Sequence, residues 1–159
     1  MSTIAGIDLG TTFSALAILN RIGKPEIVPN AEGERITPSA VYFDEEDNNV
    51  IRVGIEAINS RQLNPDRCVR WIKRHMGDRE YKKVVDGKAW TPEEISSLIL
   101  KKLKQDCSME TEAIEDVAIS VPAHFDEVRR KATMDAGTLA GLNVIGIVNE
   151  PVAAALFYA

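Results

Sequence analysis

The stretch IDLGTTFS, residues Ile7–Ser14, decides how this chain is interpreted. It follows a short apolar segment that is typical of a buried strand, turns at Gly10 and continues into a second apolar segment, 15–19. Glycine permits backbone geometries that other residues resist. Successive backbone N–H groups in such a turn can bind anionic oxygens, and the two threonine hydroxyls add further donors. The stretch therefore predicts two strands joined by a phosphate-binding turn.

Asp8 lies on the first of these strands, where its neighbours are apolar. A tight turn needs the glycine but not the carboxylate, whose burial without compensation would be costly. Mg²⁺ beside nucleotide phosphates is commonly held by one or two carboxylates, partly through its own waters. We therefore favour a Mg²⁺ site at Asp8 over a hairpin turn that merely contains polar residues.

The composition limits the class of protein. The chain has 159 residues, of which 45% are hydrophobic and 27% charged, and its formal net charge is −5. These values are ordinary for a soluble globular protein. The negative charge argues against nucleic acid or an anionic membrane as the main partner. No apolar run approaches the length of a membrane span, and no signal-peptide pattern opens the chain, so a cytoplasmic location is expected.

The remaining pattern predicts a mixed α/β fold. Three meandering strands open the chain, a hairpin is expected around the acidic turn 44–49, and the segment 56–77 is helical but interrupted. The sequence Thr91-Pro92-Glu93-Glu94 begins a helix with an N-cap, a proline at the first position and a capping-box glutamate. Strand and helix alternate from Asp116 onward, which implies parallel strands with helices packed on the sheet. The last of these helices is predicted after Glu150.

This order of elements also predicts a domain organisation. We expect residues 1–36 and 107–159 to form the core subdomain and residues 37–106 to form an inserted α+β subdomain. Three lysines on the helix after Thr91 are interpreted as a solvated face without a binding role, because such runs usually face water. They are Lys101, Lys102 and Lys104.

Four segments, in this order, resemble one protein family. They are Ile7–Ser14, Trp71–Arg74, Val121–Arg130, and Val148–Pro151 with the alanines that follow. The chain resembles the N-terminal ATPase lobe of the seventy-kilodalton heat-shock (DnaK-type) chaperones, within the actin and sugar-kinase superfamily. The resemblance implies an actin-like ATPase lobe with a ribonuclease-H-like mixed sheet, which binds ATP or ADP with Mg²⁺ and acts in the stress response.

The resemblance also implies roles for single residues. Lys73 would reach the transferring phosphate and the attacking water, and Glu150 would position the metal shell or that water. Asp8 would hold Mg²⁺ through water, and Gly10, Thr11, Thr12 and Phe13 would bind the nucleotide. Without the resemblance, Lys73 is interpreted as a solvated surface charge. Glu150 is then interpreted as a glutamate at a helix start, where its negative charge interacts favourably with the helix dipole.

Pro122 and Arg130 match the proline–arginine pair with which this family relays the nucleotide state to its peptide-binding part. Without the resemblance, Pro122 only ends a strand, and Arg130 is an exposed helix residue. The relay is therefore an expectation that comes from the resemblance alone.

Several parts of such a chaperone do not appear in the sequence. No second glycine-rich phosphate loop, adenosine-binding segment or peptide-binding domain follows Gly10. We therefore expect an excised piece or a truncated product that binds Mg·ATP weakly and is inactive alone. Its expected partners are the second ATPase lobe, the peptide-binding domain and a nucleotide-exchange factor. Engagement of an ordinary J-domain cochaperone is predicted to be weak, because Ile145 and Gly146 stand where DnaK-type proteins commonly have basic residues.

Two other functions remain open at this point. The chain could be the first lobe of a sugar-kinase-like phosphotransferase, although such proteins should lack the VPAHF segment followed by Arg130. It could also be a truncated, non-catalytic interaction module. That module would pair with a partner, or with itself, through the face that otherwise meets the second lobe, since exposed apolar patches favour association.

Overall fold

The computed structural model describes residues 3–47 and 50–150. The strands are β1 Thr3–Leu9, β2 Phe13–Leu19, β3 Pro25–Ile27, β4 Thr37–Pro38, β5 Ala40–Phe43, β6 Ile51–Val53, β7 Cys68–Arg70, β8 Lys83–Val85, β9 Lys88–Trp90, β10 Ile114–Val121 and β11 Asn143–Asn149. The α-helices are α1 Ile55–Ser60, α2 Pro92–Glu110 and α3 Glu127–Leu139. Two short 3-10 helices cover Pro65–Arg67 and Ile72–His75. The helix predicted after Glu150 lies outside the described residues.

The main sheet is mixed. Its strand order is β11-β10-β1-β2-β3, and β4 pairs with β2 beside that path. Strand β1 is antiparallel to β2 but parallel to β10, and β10 is parallel to β11. The mixed α/β sheet predicted from the sequence is therefore confirmed, with the strand that carries Asp8 at its centre.

The two faces of β1 differ in solvent exposure. Ala5, Ile7 and Leu9 are buried and share one hydrophobic core with residues of α2 and α3. Gly6 and Asp8 alternate with them and are exposed on the opposite face. This alternation follows from the pleat of a strand, which sends successive side chains to opposite sides of the sheet. Asp8 consequently faces the side of the sheet away from the helices.

Both long helices begin where local chemistry predicts. Thr91 caps α2, because its hydroxyl oxygen accepts a hydrogen bond from the backbone N–H of Glu94 at 3.2 Å. Asp126 caps α3 in the same way, by accepting the N–H of Arg129 at 2.9 Å. Each cap satisfies a backbone donor that the first helical turn leaves without a partner. None of the described helices is both long and apolar enough to cross a membrane.

The segment 37–106 contains two smaller sheets, β6-β5-β7 and the hairpin β8-β9. The prediction of an interrupted helix over 56–77 is wrong in part, because β7 lies inside that segment and pairs with β5. The predicted subdomain boundary at residue 106 falls inside α2, and β4 belongs to the main sheet. The division of the chain into two subdomains stays a prediction.

Lys102 does not lie on a solvated face, and the interpretation of the lysine run is wrong at this position. Its side chain is only 13% exposed, and its Nζ lies 2.9 Å from Oδ2 of Asp106 and 3.1 Å from Oε1 of Glu32. The lysine thus connects α2 to the loop that follows β3. Burial lowers the pKa of Lys102, but the hydrogen bonds to Asp106 and Glu32 outweigh it, so the pKa lies above its ordinary value.

Candidate functional site

The turn between β1 and β2 consists of Gly10, Thr11 and Thr12. A Cβ atom on Gly10 would collide with the carbonyl oxygen of Phe13. Gly10 does not have a positive φ, so the need for glycine comes from this close approach of the backbone. Any other residue would push the turn open. The glycine predicted from the sequence is therefore required, for a steric reason.

Ser39 fixes the shape of this turn from the neighbouring segment. Its backbone N–H donates to the carbonyl oxygen of Thr12 at 2.8 Å. Its hydroxyl lies 2.8 Å from the hydroxyl of Ser14, and both side chains are buried. Sequence reasoning missed both serines as supports of the turn. The signal that could have found them is a small polar residue on an otherwise apolar strand, which needs a hydrogen-bond partner when it is buried.

The turn offers hydrogen-bond donors. Among the described residues, nothing accepts a hydrogen bond from the backbone N–H groups or hydroxyls of Thr11 and Thr12. Thr12 is exposed and Thr11 is partly exposed. Phe13, the fourth residue assigned to nucleotide binding, is also exposed at the start of β2. The arrangement can therefore donate to an anionic ligand without breaking any hydrogen bond of the protein.

Asp8 and Glu150 line the same groove. This groove has a volume of about 620 Å³ and lies on the open face of the main sheet. Ser120, which stands beside Asp8 in the parallel pairing of β1 and β10, donates its hydroxyl to Oδ1 of Asp8 at 3.3 Å. Most of the other lining residues are small or apolar, so the two carboxylates are its acidic groups. Ser120 was not identified from the sequence.

Lys73 approaches this groove through Glu150. It lies in the second 3-10 helix rather than in the α-helix expected there, and its side chain is 8% exposed. Its Nζ lies 2.6 Å from Oε1 of Glu150, whose side chain is 40% exposed. The ring centroid of Phe125 is 6.0 Å from the same Nζ. The structure thus brings Asp8, Glu150 and Lys73 to one region; their catalytic roles stay predictions.

Arg130 is not simply an exposed helix residue. Its Nε donates to the carbonyl oxygen of Phe125 at 3.0 Å, and its Nη2 donates to Oδ1 of Asn149 at 2.6 Å. The backbone N–H of Phe125 donates in turn to the carbonyl oxygen of Pro122. Pro122 and Arg130 are therefore joined through one short turn, and Arg130 reaches the residue that precedes Glu150. Asn149 is a further contact that the sequence did not reveal.

The carboxylates of the site suit Mg²⁺ bound beside phosphates. In residues 3–47 and 50–150, no three histidine, cysteine or acidic side chains are grouped as a metal site would require. Mg²⁺ keeps several waters and needs only one or two carboxylates when phosphates supply the other ligands. Asp8 and Glu150, on one open groove beside a turn with available donors, fit that requirement.

The comparison with protein families agrees with this geometry. The family described as Hsp70 protein matches residues 4–159, which is nearly the whole chain. The match includes the phosphate turn, the Trp71–Arg74 segment and the end of β11, and it favours a chaperone over a sugar-kinase-like phosphotransferase. The chain therefore belongs to the Hsp70 family of chaperone ATPases and represents its N-terminal region.

Proposed function

We propose that this chain supplies the phosphate- and Mg²⁺-binding half of an ATP-hydrolysing site, whose reaction is coupled to peptide binding in the intact chaperone. The observation that carries the proposal is the shared groove of Asp8 and Glu150, together with a turn that directly follows the strand of Asp8 and whose donors are available. The inserted subdomain 37–106 and the ribonuclease-H-like sheet belong to the same proposal. A cytoplasmic location is proposed on the composition alone.

The phosphate turn would bind the nucleotide through its backbone. The N–H groups and hydroxyls of Thr11 and Thr12 would donate to phosphate oxygens, and Gly10 keeps space free where a side chain would distort the turn. Bound Mg²⁺ would neutralise phosphate charge and orient the oxygens. Asp8 would accept hydrogen bonds from the waters of the metal, while Ser120 holds its Oδ1 in place.

Binding of a phosphate would break the hydrogen bond between Lys73 and Glu150. An ammonium is a mobile point charge that can leave one oxygen for another. Phosphate oxygens near Nζ of Lys73 would compete with Oε1 of Glu150, which now lies 2.6 Å away. Release from Lys73 would free the carboxylate of Glu150 to accept a proton from, or orient, an attacking water. The ammonium would meanwhile stabilise developing negative charge.

The proposed partners follow from the open side of the groove, which leaves a bound nucleotide only partly enclosed. The groove is open on one side, so the second ATPase lobe would have to enclose the nucleotide, and binding by this chain alone would be weak. The peptide-binding domain and a nucleotide-exchange factor are the further partners proposed. Ile145 is exposed on β11 and Gly146 has open space around it, which supports weak engagement of an ordinary J-domain.

A non-catalytic interaction module is the second candidate function. Several large apolar side chains are exposed on or beside the strands of the main sheet, and exposed apolar surface favours association. Three of them lie on or next to β1 and β2. They are Ile4, Leu19 and Ile22. Concentration-dependent dimerisation of the 159-residue chain, without any nucleotide response, would favour this candidate.

Amide chemical shifts in NMR test the proposed function even if binding is weak. Mg·ATP is expected to shift the backbone N–H signals of Gly10, Thr11, Thr12 and Ser120, while adenosine without phosphates leaves them in place. Asp8→Asn should reduce the chemical-shift response to Mg·ATP. The control Asp116→Asn, near the beginning of β10, should leave that response unchanged. Absence of any shift at millimolar Mg·ATP, or shifts confined to other surfaces, would contradict the proposal.

A further inference from the structure

A second groove lies around Trp71, away from Asp8 and Glu150. It has a volume of about 200 Å³ and includes three basic and two aromatic side chains, with no acidic residue in its lining. We call it the basic groove and define it by Arg61, Cys68, Val69, Arg70, Trp71, Tyr81 and Lys83. Such a concentration of positive charge is unexpected in a chain with a net charge of −5.

The cations of the basic groove are not neutralised. In the described part of the chain, Arg61, Arg70 and Lys83 form no ion pair, whereas Arg67 and Lys102 each bind carboxylates. Burial raises the pKa of the Cys68 thiol, but the positive charges of Arg61, Arg70 and Lys83 all oppose that shift. All three cations line the same groove, so they are grouped on one surface.

Trp71 holds two guanidinium groups at this surface. The Arg70 guanidinium carbon lies 4.3 Å from the centroid of its ring and that of Arg74 lies 5.4 Å away, within the range of cation–π attraction. The backbone of Trp71 has a φ of 58° and a ψ of 31°, a left-handed conformation that is unfavourable for a residue with a side chain. Strain of this kind persists mainly at functional sites.

An apolar groove adjoins the basic groove. It has a volume of about 250 Å³, and it shares Arg70 and Trp71 with its neighbour. The larger apolar side chains of its lining, besides Trp71, come from β2, β4 and α1. They are Phe13, Pro38, Ile55 and Ile58. A ligand that spans both grooves would therefore meet unpaired cations at one end and an apolar surface at the other.

We propose that the two adjoining grooves bind an acidic peptide segment in which an apolar side chain lies next to carboxylates. Arginine guanidinium groups bind carboxylates through two parallel hydrogen bonds, and the apolar groove would take the apolar side chain. The Tyr81 hydroxyl, which donates to no described residue, is a further donor. A nucleic acid fits less well, because base stacking needs a free aromatic face and the Trp71 ring already contacts two guanidinium groups.

Thr11, Thr12 and Phe13 line the apolar groove and also belong to the proposed nucleotide turn, so the test is carried out without nucleotide. Tryptophan fluorescence then reports peptide binding alone, and its failure would not alter the NMR response of Gly10 and Ser120 expected with Mg·ATP. The chain has two tryptophans, and Trp90→Phe leaves Trp71 as the only emitter. The probe is a blocked peptide, Glu-Asp-Glu-Leu-Glu-Asp-Glu. We expect a saturable change in emission, weakened by salt, and no change with the same peptide carrying glutamine and asparagine instead of the acids.

Two double variants with the same net charge separate the groove from the overall charge. Arg61→Glu with Lys83→Glu should weaken peptide binding about tenfold or more, since it reverses charges at the contact. Arg21→Glu with Lys101→Glu changes exposed cations elsewhere and should leave binding nearly unchanged. If the groove variant fails to fold by circular dichroism, Arg61→Gln with Lys83→Gln replaces it, with a smaller loss expected.

Three outcomes would overturn the proposal. The first is equal binding of the acidic and the amide peptide, and the second is equal weakening by both double variants. The third is tighter binding of a ten-nucleotide uridine RNA than of the acidic peptide, which would assign the grooves to nucleic acid instead.

Discussion

The ammonium of Lys73 lies 2.6 Å from Oε1 of Glu150, although 77 positions separate the two residues. The lysine side chain is almost fully buried, whereas the glutamate lies at the edge of the open groove. The pair therefore ties the second 3-10 helix to the end of β11. Because the lysine is the more buried partner, loss of the glutamate charge leaves a cation with little water to compensate it.

Glu150→Ala is expected to lower the free energy of unfolding by about 1–3 kcal/mol, the range for hydrogen bonds to charged groups. The matched control is Asp135→Ala, which breaks the exposed pair with Lys131 and should cost at most about 1 kcal/mol. Urea unfolding of both variants checks the difference. Equal losses at the two pairs would show that the buried position of Lys73 does not matter to stability.

Gly10→Ala is expected to destabilise the chain by about 1–3 kcal/mol, because the added methyl group meets the carbonyl oxygen of Phe13. Gly6→Ala, on the same strand, adds the same methyl group where nothing lies within 4 Å, and it should be nearly neutral. Thermal unfolding of the two variants compares them directly. A stable Gly10→Ala variant with an unchanged NMR spectrum would refute the steric account of the turn.

Ser14→Ala or Ser39→Ala alone is expected to cost about 1–3 kcal/mol, since each leaves a buried hydroxyl without its partner. The double variant should cost less than the sum, because no unsatisfied hydroxyl remains. A double-mutant cycle in urea measures this coupling. Strict additivity would mean that the 2.8 Å contact between the two hydroxyls contributes no specific stability.

The raised pKa of Lys102 leads us to expect that the folded chain loses stability at alkaline pH. Its pKa is raised in the folded chain above the ordinary value of 10.5, so its contribution is complete below pH 10.5 and disappears as the pH rises through the folded pKa. The difference in unfolding free energy between the natural chain and Lys102→Met should therefore shrink above that pH. A difference that stays constant from neutral to strongly alkaline pH would rule out this linkage.

Local chemistry made part of the fold predictable. The caps of α2 and α3 depend on contacts within three residues, Thr91 to Glu94 and Asp126 to Arg129, so they can be found in the sequence. The tight turn at Gly10 and the carboxylate of Asp8 were equally accessible, because a glycine and a carboxylate interrupt an apolar pattern. The roles predicted for Lys73 and Glu150 come only from the family resemblance, since nothing local sets these residues apart.

The unpredicted features depend on distant partners. Strand β7 is only three residues long, and it is defined by its pairing with β5. No local sequence pattern therefore predicts it. Lys102 is withdrawn from water by Glu32, which lies 70 positions earlier. Ser39 and Asn149 become important only when folding brings Thr12 and Arg130 to them. Periodicity cannot reveal contacts of this kind.

The central position of β1 has a consequence for folding during synthesis on the ribosome. Its parallel partner β10 carries Ser120, which follows Asp8 by 112 positions. During synthesis at about 5–20 residues per second, the hairpin of β1 and β2 leaves the ribosome seconds before β10 exists. Until then one edge of β1 has no partner and can pair with a wrong strand. The edge of β1 that β10 later covers is therefore exposed to wrong pairing until residue 121 has been synthesised.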